Sequence, residues 1–314
     1  MTDTYAGKGQ VCGKPFIRLL LFLCLVTLNG CAVREYAINR VGDAIASGGD
    51  AFASDNDPDL IRDASPFSLK MMESLLAENP RHRGLLLAAT KGFTQYAYAY
   101  VQQQADEVEA TDVATAYAER DRAKQMYLRA RDYGLRGLSL QQPDFFVQLR
   151  IDPQATVKKA KPEDVALLYW TGAAWAAAIA AGKDDPFLVA DLPAVEALIM
   201  RACEIDEKFD NGALHVFLIS YEMSRSAVSK DAAQKAHEHF KRAVELSGGL
   251  QAAPYVALAE AVTVQERRRD EFTRLLNQAL AVDVDKRPEW RLANLIMQRR
   301  ARWLLAHTDE YFLE

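Results

Sequence analysis

The stretch from Asp231 to Gly249 reads DAAQKAHEHFKRAVELSGG, and its apolar residues follow the spacing of a helix. Ala236, Phe240 and Ala243 stand at positions i, i+4 and i+7, which places them on one helix face. The two small side chains let a partner helix come close, and the ring between them fills the contact. The stretch therefore predicts a helix that packs along this face and buries Phe240.

The same small-and-large pattern recurs before and after this helix. It is found at Val195, Ile199 and Ala202, and again at Phe272, Leu276 and Ala279. The distance from Ala202 to Ala243 is 41 residues and that from Ala243 to Ala279 is 36. These values lie near the ~34 residues of a tetratricopeptide unit, whose second helix carries such a pattern. The sequence predicts an all-α fold, a single-domain helical solenoid of degenerate tetratricopeptide repeats over residues 31–314.

The last predicted helix, Arg287 to Ala306, would close the array. Its four arginines are expected on a polar face that suits a terminal cap; they are Arg291, Arg299, Arg300 and Arg302. Near the other end, Asp57-Pro58 and Ser65-Pro66 both resemble a capping residue followed by proline at the first helical position. We therefore expect one helix to end, and another to begin, at Ser65.

Composition bounds the class of protein. The chain has 314 residues, of which 50% are hydrophobic and 26% charged, as in globular proteins with a substantial core. The net charge of −5 argues against nucleic-acid binding, because no basic field covers the chain. The run from Val165 to Ala181 carries no charge. It is short for a bilayer span and rich in alanine, so it predicts a buried central helix.

Residues 1–30 have the layout of a lipoprotein signal peptide. A basic leader precedes an apolar run, Leu19 to Leu28, which ends in Leu28-Asn29-Gly30-Cys31. This ending resembles the lipobox of bacterial lipoproteins, in which the cysteine is acylated and becomes the new N-terminus. The alternative is a plain secretory signal followed by a buried cysteine. The first interpretation predicts lipid attachment at Cys31 and a periplasmic, membrane-anchored protein, and Ala32 favours the outer membrane over the inner one.

The sequence offers no catalytic or metal-binding motif. We find no HExxH, CxxC, P-loop or nucleophile-elbow pattern. His237 and His239 are two residues apart on a helix, so they point to different sides and cannot share a metal ion. Cys203 is the one cysteine left after the leader and Cys31, and no local motif supplies a histidine partner. We predict a protein that is not an enzyme and has no metal and no cofactor.

Aromatic residues are concentrated on three of the predicted helices. Ordinary core packing is one interpretation, because tyrosine and tryptophan are common in helical interiors. The other is a ligand channel on the inner surface of the solenoid, because buried tyrosine hydroxyls need polar partners. The candidate channel residues are Phe93, Tyr96, Tyr100, Tyr169, Trp170, Trp175, Phe217 and Tyr221.

Several segments together resemble the TatT family, the tetratricopeptide-repeat lipoproteins associated with TRAP transporters. They are NRVGDAIASGG from Asn39, GFTQYAYAYVQQQAD from Gly92, ARDYGLRGL from Ala130, LLYWTGAAWAAAIA from Leu167 and NGALHVFLISYE from Asn211. The stretch from Asp55 to Pro80 belongs to the same resemblance. The family pattern includes no catalytic residues.

The resemblance implies a lipid-anchored periplasmic accessory of a TRAP transport system, without enzymatic activity. It also implies a homo-oligomer, expected to be a trimer, that binds the periplasmic solute-binding protein of that system. An internal channel would carry an apolar or organic-acid ligand. A second hypothesis stays open, in which the chain is a scaffold lipoprotein for cell-envelope or outer-membrane assembly, with a peptide on its concave face.

Overall fold

The computed structural model describes residues 38–46, 48–224 and 230–312, together with Thr2. Cys31 and the rest of the predicted signal peptide lie outside the described residues. Within these ranges the chain forms helices and turns and contains no strand, which confirms the all-α prediction.

Ten longer helices are labelled here in chain order. They are α1 (Pro58–Glu78), α2 (Arg83–Tyr96), α3 (Val113–Ser139), α4 (Val165–Ala181), α5 (Leu192–Ile205), α6 (Ala213–Ser224), α7 (Ala232–Ser247), α8 (Ala253–Leu258), α9 (Arg269–Leu280) and α10 (Arg291–Ala306). Two of them continue through π-helical turns: α2 through Ala97–Gln102 into an α-helical turn at Gln103–Val108, and α8 through Ala259–Thr263. Short helical pieces join the rest: Gly49–Ala53, Phe145–Ile151, Pro153–Val157, Pro162–Asp164, Pro186–Val189, Phe209–Asn211, Pro288–Trp290 and Thr308–Tyr311. Residues 38–46 are also helical.

Helix α1 begins where the sequence predicts and ends later than predicted. The Asp57 carboxylate accepts hydrogen bonds from the backbone of Asp59 at 3.1 Å and of Leu60 at 3.0 Å. The expected boundary at Ser65 is wrong, because α1 continues through Pro66 to Glu78. A proline inside a helix costs about 3 kcal/mol. The burial of Leu69 and Leu76 beyond it, at 5% and 2% exposure, offsets this cost.

Helix α4 lies at the centre of the N-terminal half, with the bounds that the sequence predicts. It packs against α2, α3 and α5. In the described part of the chain, the segment Pro162–Ala181 is long and apolar enough to cross a bilayer. Of the 18-residue apolar window within that segment, 56% is buried inside the protein. Its lack of charge is therefore accounted for by burial among helices.

The buried apolar residues form two clusters, one for each half of the array. The first extends from Leu69 on α1 to Tyr221 on α6. The second extends from Ile219 on α6 to Leu304 on α10. Helix α6 contributes to both clusters, so it is the apolar joint between the two halves.

The last helix returns to the beginning of the array. Arg291 Nη1 donates to the backbone carbonyl of Ser54 at 2.8 Å, and Arg299 Nη1 lies 3.4 Å from a carboxylate oxygen of Asp59. Helix α10 also packs against α1 and Gly49–Ala53. The ten helices therefore follow a closed path, and the two ends meet at what we call the closing junction.

The prediction that Arg300 lies on a polar outer face is wrong. Only 7% of Arg300 is exposed, because the closing junction covers this side of α10. Arg299 and Arg302 are exposed as predicted. A helix that ends an open solenoid would leave all of these arginines in water, whereas a closed path turns one side of α10 inward.

Candidate ligand-binding site

The two π-helical turns lie on either side of the closing junction. The first, Ala97–Gln102, carries Tyr98 towards α10, where its hydroxyl lies 4.0 Å from the sulfur of Met297. The second, Ala259–Thr263, carries Glu260 to the same helix. A π-helical turn rotates the side chains that follow it relative to a regular helix, and such turns are frequent at functional sites.

A chain of ion pairs crosses the junction and centres on Arg300. Its Nε and Nη2 atoms donate to one carboxylate oxygen of Glu260, at 3.0 and 2.7 Å. Nη2 also lies 3.2 Å from a carboxylate oxygen of Asp106. Asp106 in turn accepts from Arg120 at 3.2 Å, and Arg120 pairs with Glu109. The network joins α8 and α10 of the C-terminal half to α2 and α3 of the N-terminal half.

Helices of the closing junction surround this network closely and leave part of it accessible to water. Burial raises the pKa of the Glu260 carboxyl, and Arg300 opposes that rise. The side chain of Glu260 nevertheless keeps 29% of its surface accessible. Tyr98 is also both partly accessible and affected by burial. Of its surface 36% is accessible, and burial, followed by the charge of Glu260, raises the pKa of its hydroxyl. We call this partly accessible part of the closing junction the crevice, and its residues are Tyr98, Gln103, Glu260 and Arg300.

Two buried polar groups near the junction have no hydrogen-bond partner among the described residues. They are Arg300 Nη1 and the hydroxyl of Tyr100. Burial, and after it the charge of Asp59, raises the pKa of Tyr100 to about 12, and the charge of Arg299 opposes this rise. A buried donor without a partner costs about 1–3 kcal/mol, and native proteins leave few of them. A polar ligand group that entered the crevice would find donors already positioned.

The structure arranges six of the eight candidate channel residues as three pairs of rings. Tyr96 and Tyr100 lie 5.5 Å apart, Tyr169 and Trp170 lie 5.0 Å apart, and Phe217 and Tyr221 lie 5.7 Å apart, measured between ring centroids. They belong to α2 and its π-helical extension, to α4 and to α6. The first pair lies near the closing junction, since Asp59 and Arg299 act on Tyr100. Whether the three pairs line one channel stays a prediction.

The other two candidates occupy packing layers between helices. Phe93 is 2% exposed and stacks on Tyr133 of α3, with their centroids 6.0 Å apart. Trp175 is fully buried and packs beside Phe146, with their ring centroids 6.0 Å apart. Both therefore stabilise contacts between helices, and their rings are not accessible in this structure.

The histidines form a pair that the sequence analysis did not foresee. His239 of α7 meets His215 of α6, with their Nδ1 atoms 2.9 Å apart, and His215 Nε2 lies 3.2 Å from Glu207. Burial lowers the pKa of both imidazoles, that of His239 to about 4. No group of three or more metal-ligating side chains is found among the described residues. The neutral pair instead joins two helices of one repeat.

The crevice residues Tyr98, Gln103, Glu260 and Arg300 were also missed. One signal was present in the sequence, because Glu260 is the only charged residue between Pro254 and Val264. An isolated carboxylate in an apolar helix is costly unless it is paired, so its presence indicates a partner from elsewhere. The partner could not be identified, because Arg300 is 40 residues away in sequence.

Comparison with known proteins decides the family. The sequence matches the family described as "TRAP transporter T-component" over residues 54–312. The chain belongs to this family. It is therefore an accessory component of TRAP transport, and the family is not one of enzymes. A relative from Treponema pallidum (strain Nichols), described as an uncharacterized protein, is 28% identical over 326 aligned residues, which cover 96% of this chain and 99% of the relative.

Proposed function

We propose that this T-component is anchored in the periplasm by acylated Cys31 and binds the solute-binding protein of a TRAP system. An apolar or organic-acid ligand would pass between the two proteins through the interior of the helical array. We further propose a homo-oligomer, a trimer, held at the outer membrane. Family membership supports the transport role, and the leader sequence supports the anchor.

The unpartnered donors at the closing junction are the observation that carries the ligand proposal. Tyr100 and Arg300 each keep a buried polar atom without a hydrogen-bond partner among the described residues. Glu260 and Asp106 both pair with Arg300, so the crevice offers donors without a free positive charge. Tyr96 and its neighbouring rings would cover the apolar part of a ligand. The polar end of that ligand would accept hydrogen bonds from the junction.

Two measurements on the mature protein test this proposal. Native mass spectrometry reports the oligomer and any ligand retained from the cell. Titration with the solute-binding protein of a TRAP system from the same genome reports the partner. We expect a ligand-bearing oligomer and a complex at micromolar concentration. A monomer without ligand that forms no complex would contradict the proposal and favour the scaffold alternative.

The variant Tyr100→Ala tests the ligand site. It removes a buried hydroxyl and a ring, so we expect a several-fold loss of ligand occupancy with helix content and oligomer unchanged. Tyr117→Ala is the matched control, because Tyr117 is 68% exposed and lies on α3. Equal occupancy in the two variants would place the ligand elsewhere.

The variant Cys31→Ser tests the anchor. Without the thiol the acyl chains cannot be attached, so we expect the processed protein in the soluble periplasmic fraction. A protein that still sediments with membranes after removal of its leader would contradict lipid attachment at Cys31.

A further inference from the structure

An open groove lies on the outer surface of the N-terminal half, away from the closing junction. It has a volume of about 600 Å³. The C-terminal part of α3, the turn between α1 and α2, and the short helix Phe145–Ile151 form its walls. None of the eight candidate channel residues lines it.

Charge distinguishes this groove from the protein as a whole. Arg81, Arg131 and Arg136 line it together with the single carboxylate of Asp132. The groove is therefore positive, whereas the whole chain carries a net charge of −5. Arg131 pairs with Asp132 at 2.8 Å. No carboxylate lies within ion-pair distance of Arg81 or Arg136 among the described residues, so two guanidinium groups are left for another acid.

Two of the three guanidinium groups, those of Arg131 and Arg136, are held in position by rings and backbone. Arg131 Cζ lies 5.2 Å from the ring centroid of Trp175, and Arg136 Cζ lies 5.3 Å from that of Tyr133. Arg136 also donates to the backbone carbonyl of Pro80 at 3.1 Å. A guanidinium that stacks by its face keeps N–H donors on its edge, where a carboxylate can bind through two hydrogen bonds.

The groove also has an apolar lining, which a free inorganic anion would not need. Leu135, Leu140 and Phe146 line it beside the arginines. The helix that supplies Phe146 exposes Val147 by 53% and Ile151 by 72%. Positioned arginines beside accessible apolar side chains are the composition of a protein-binding surface.

We propose that this groove docks an acidic segment of a partner protein. Carboxylates of the segment would pair with Arg81 and Arg136, and its apolar side chains would pack on Leu140 and Phe146. The charge of the groove and the missing acidic partners of two arginines define that chemistry. Docking in this groove depends neither on the ligand crevice nor on a solute-binding partner. The docking proposal and the proposed function can therefore fail independently.

The test is a fluorescence-anisotropy titration of the whole mature protein. The first probe is a labelled 12-residue peptide in which Glu and Asp alternate with Leu and Phe, and the second carries Gln and Asn in place of the acids. We expect the acidic peptide to bind at least tenfold more tightly at 50 mM salt and to weaken as the ionic strength rises. No binding of the acidic peptide, or equal binding of the two, would overturn the proposal.

Variants locate the binding. Arg81→Glu should weaken binding of the acidic peptide several-fold. The fold should be unaffected, because the side chain of Arg81 makes no hydrogen bond or ion pair among the described residues. The double variant Arg81→Glu/Arg136→Glu should bind the acidic peptide at least tenfold more weakly than the wild type. Arg122→Glu, on α3 like Arg136, is the matched control and should bind like the wild type, because the one ion pair of Arg122 among the described residues is with Glu119. A double variant that binds as well as this control would overturn the proposal.

Two further titrations separate the other possible occupants. Succinate at 10 mM, with ionic strength matched by sodium chloride, should leave peptide binding unchanged, because a free dicarboxylate lacks apolar contacts. Vesicles of phosphatidylglycerol should bind the double variant and the wild type alike. Displacement by succinate, or vesicle binding that depends on the two arginines, would assign the groove to a small anion or to a membrane and overturn the protein partner.

Discussion

The two halves of the array bring their helices together by different means. In the N-terminal half, glycines allow close approach: a Cβ atom on Gly134 would lie 2.0 Å from Thr171 Oγ1, and one on Gly172 would lie 2.8 Å from Ile199 Cδ1. In the C-terminal half, rings fill the space between helices that alanines bring together. Phe272 and Ala279 of α9 are both fully buried.

This difference determines how each half responds to mutation. A contact built on glycine has no spare volume, so an added methyl group must displace a neighbour. Where a buried ring fills the space between helices, its removal leaves a cavity. The N-terminal half should therefore tolerate enlargement poorly, and the C-terminal half should tolerate truncation poorly.

The largest effect is expected for Phe272→Ala in the C-terminal half. Phe272 is fully buried, so its removal should lower the free energy of unfolding by about 3–5 kcal/mol. Phe240→Ala should lower the free energy of unfolding roughly half as much, because the Phe240 ring is only partly buried. This ring packs edge-on against Tyr255, with the ring centroids 5.5 Å apart. Denaturant unfolding of the purified variants measures both values. Equal losses would show that exposure of the ring does not set the cost.

An intermediate effect is expected for Gly134→Ala in the N-terminal half. Its Cβ would overlap Thr171 Oγ1, and overpacking of this kind costs about 1–3 kcal/mol. We expect the upper end of this range, measured as a fall in the free energy of unfolding. Gly49→Ala is the control and should change stability little, because no atom of the described residues lies within 4 Å of its Cβ position.

A second substitution identifies the cause. Thr171→Ala removes the hydroxyl that the new methyl group would meet, and that hydroxyl has no hydrogen-bond partner among the described residues. The double variant Gly134→Ala/Thr171→Ala should therefore recover part of the stability. A double variant no more stable than Gly134→Ala alone would show that helix spacing, and not this one contact, limits the site.

The same difference explains what could be predicted from the sequence. The repeat of small and large residues on α5, α7 and α9 follows helical spacing, so these helices and their packing faces could be predicted. One residue departs from the prediction: Phe240 was expected to be buried and is only partly buried. Helix α4 was predicted because it has no charge. The aromatic pairs were expected on helices, but their grouping depends on how α2, α4 and α6 are placed, which spacing along one helix does not determine.

The closing junction lay beyond sequence analysis for another reason. Its contacts join Ser54 to Arg291 and Asp106 to Arg300, which are far apart in the chain. Local patterns describe faces of single helices, and Arg300 was assigned to a polar face together with Arg291, Arg299 and Arg302. Only the closed path of the helices turns this one arginine inward.

The smallest effect is expected for Arg300→Met at this ionic junction. The substitution leaves Glu260 in the crevice without its arginine, and removal of one partner from a buried pair can cost 3–5 kcal/mol. We expect only about 1–2 kcal/mol at neutral pH, because Glu260 keeps 29% of its side chain accessible and Asp106 keeps Arg120. Arg302→Met is the matched control, because Arg302 is exposed on the same helix.

The pH dependence of that loss separates an ionic cause from a packing cause. Burial already raises the pKa of Glu260 above its ordinary value of 4.5, and without Arg300 the pKa rises further. A group with a raised pKa in the folded state stabilises the protein fully below its unfolded pKa, and this stability is lost as the pH rises through the folded value. The deficit of Arg300→Met should therefore be full at neutral pH and shrink towards pH 4.5. In the double variant Glu260→Gln/Arg300→Met, the loss in free energy of unfolding should not shrink towards pH 4.5. If the loss in Arg300→Met alone does not change with pH, lost packing is its cause instead.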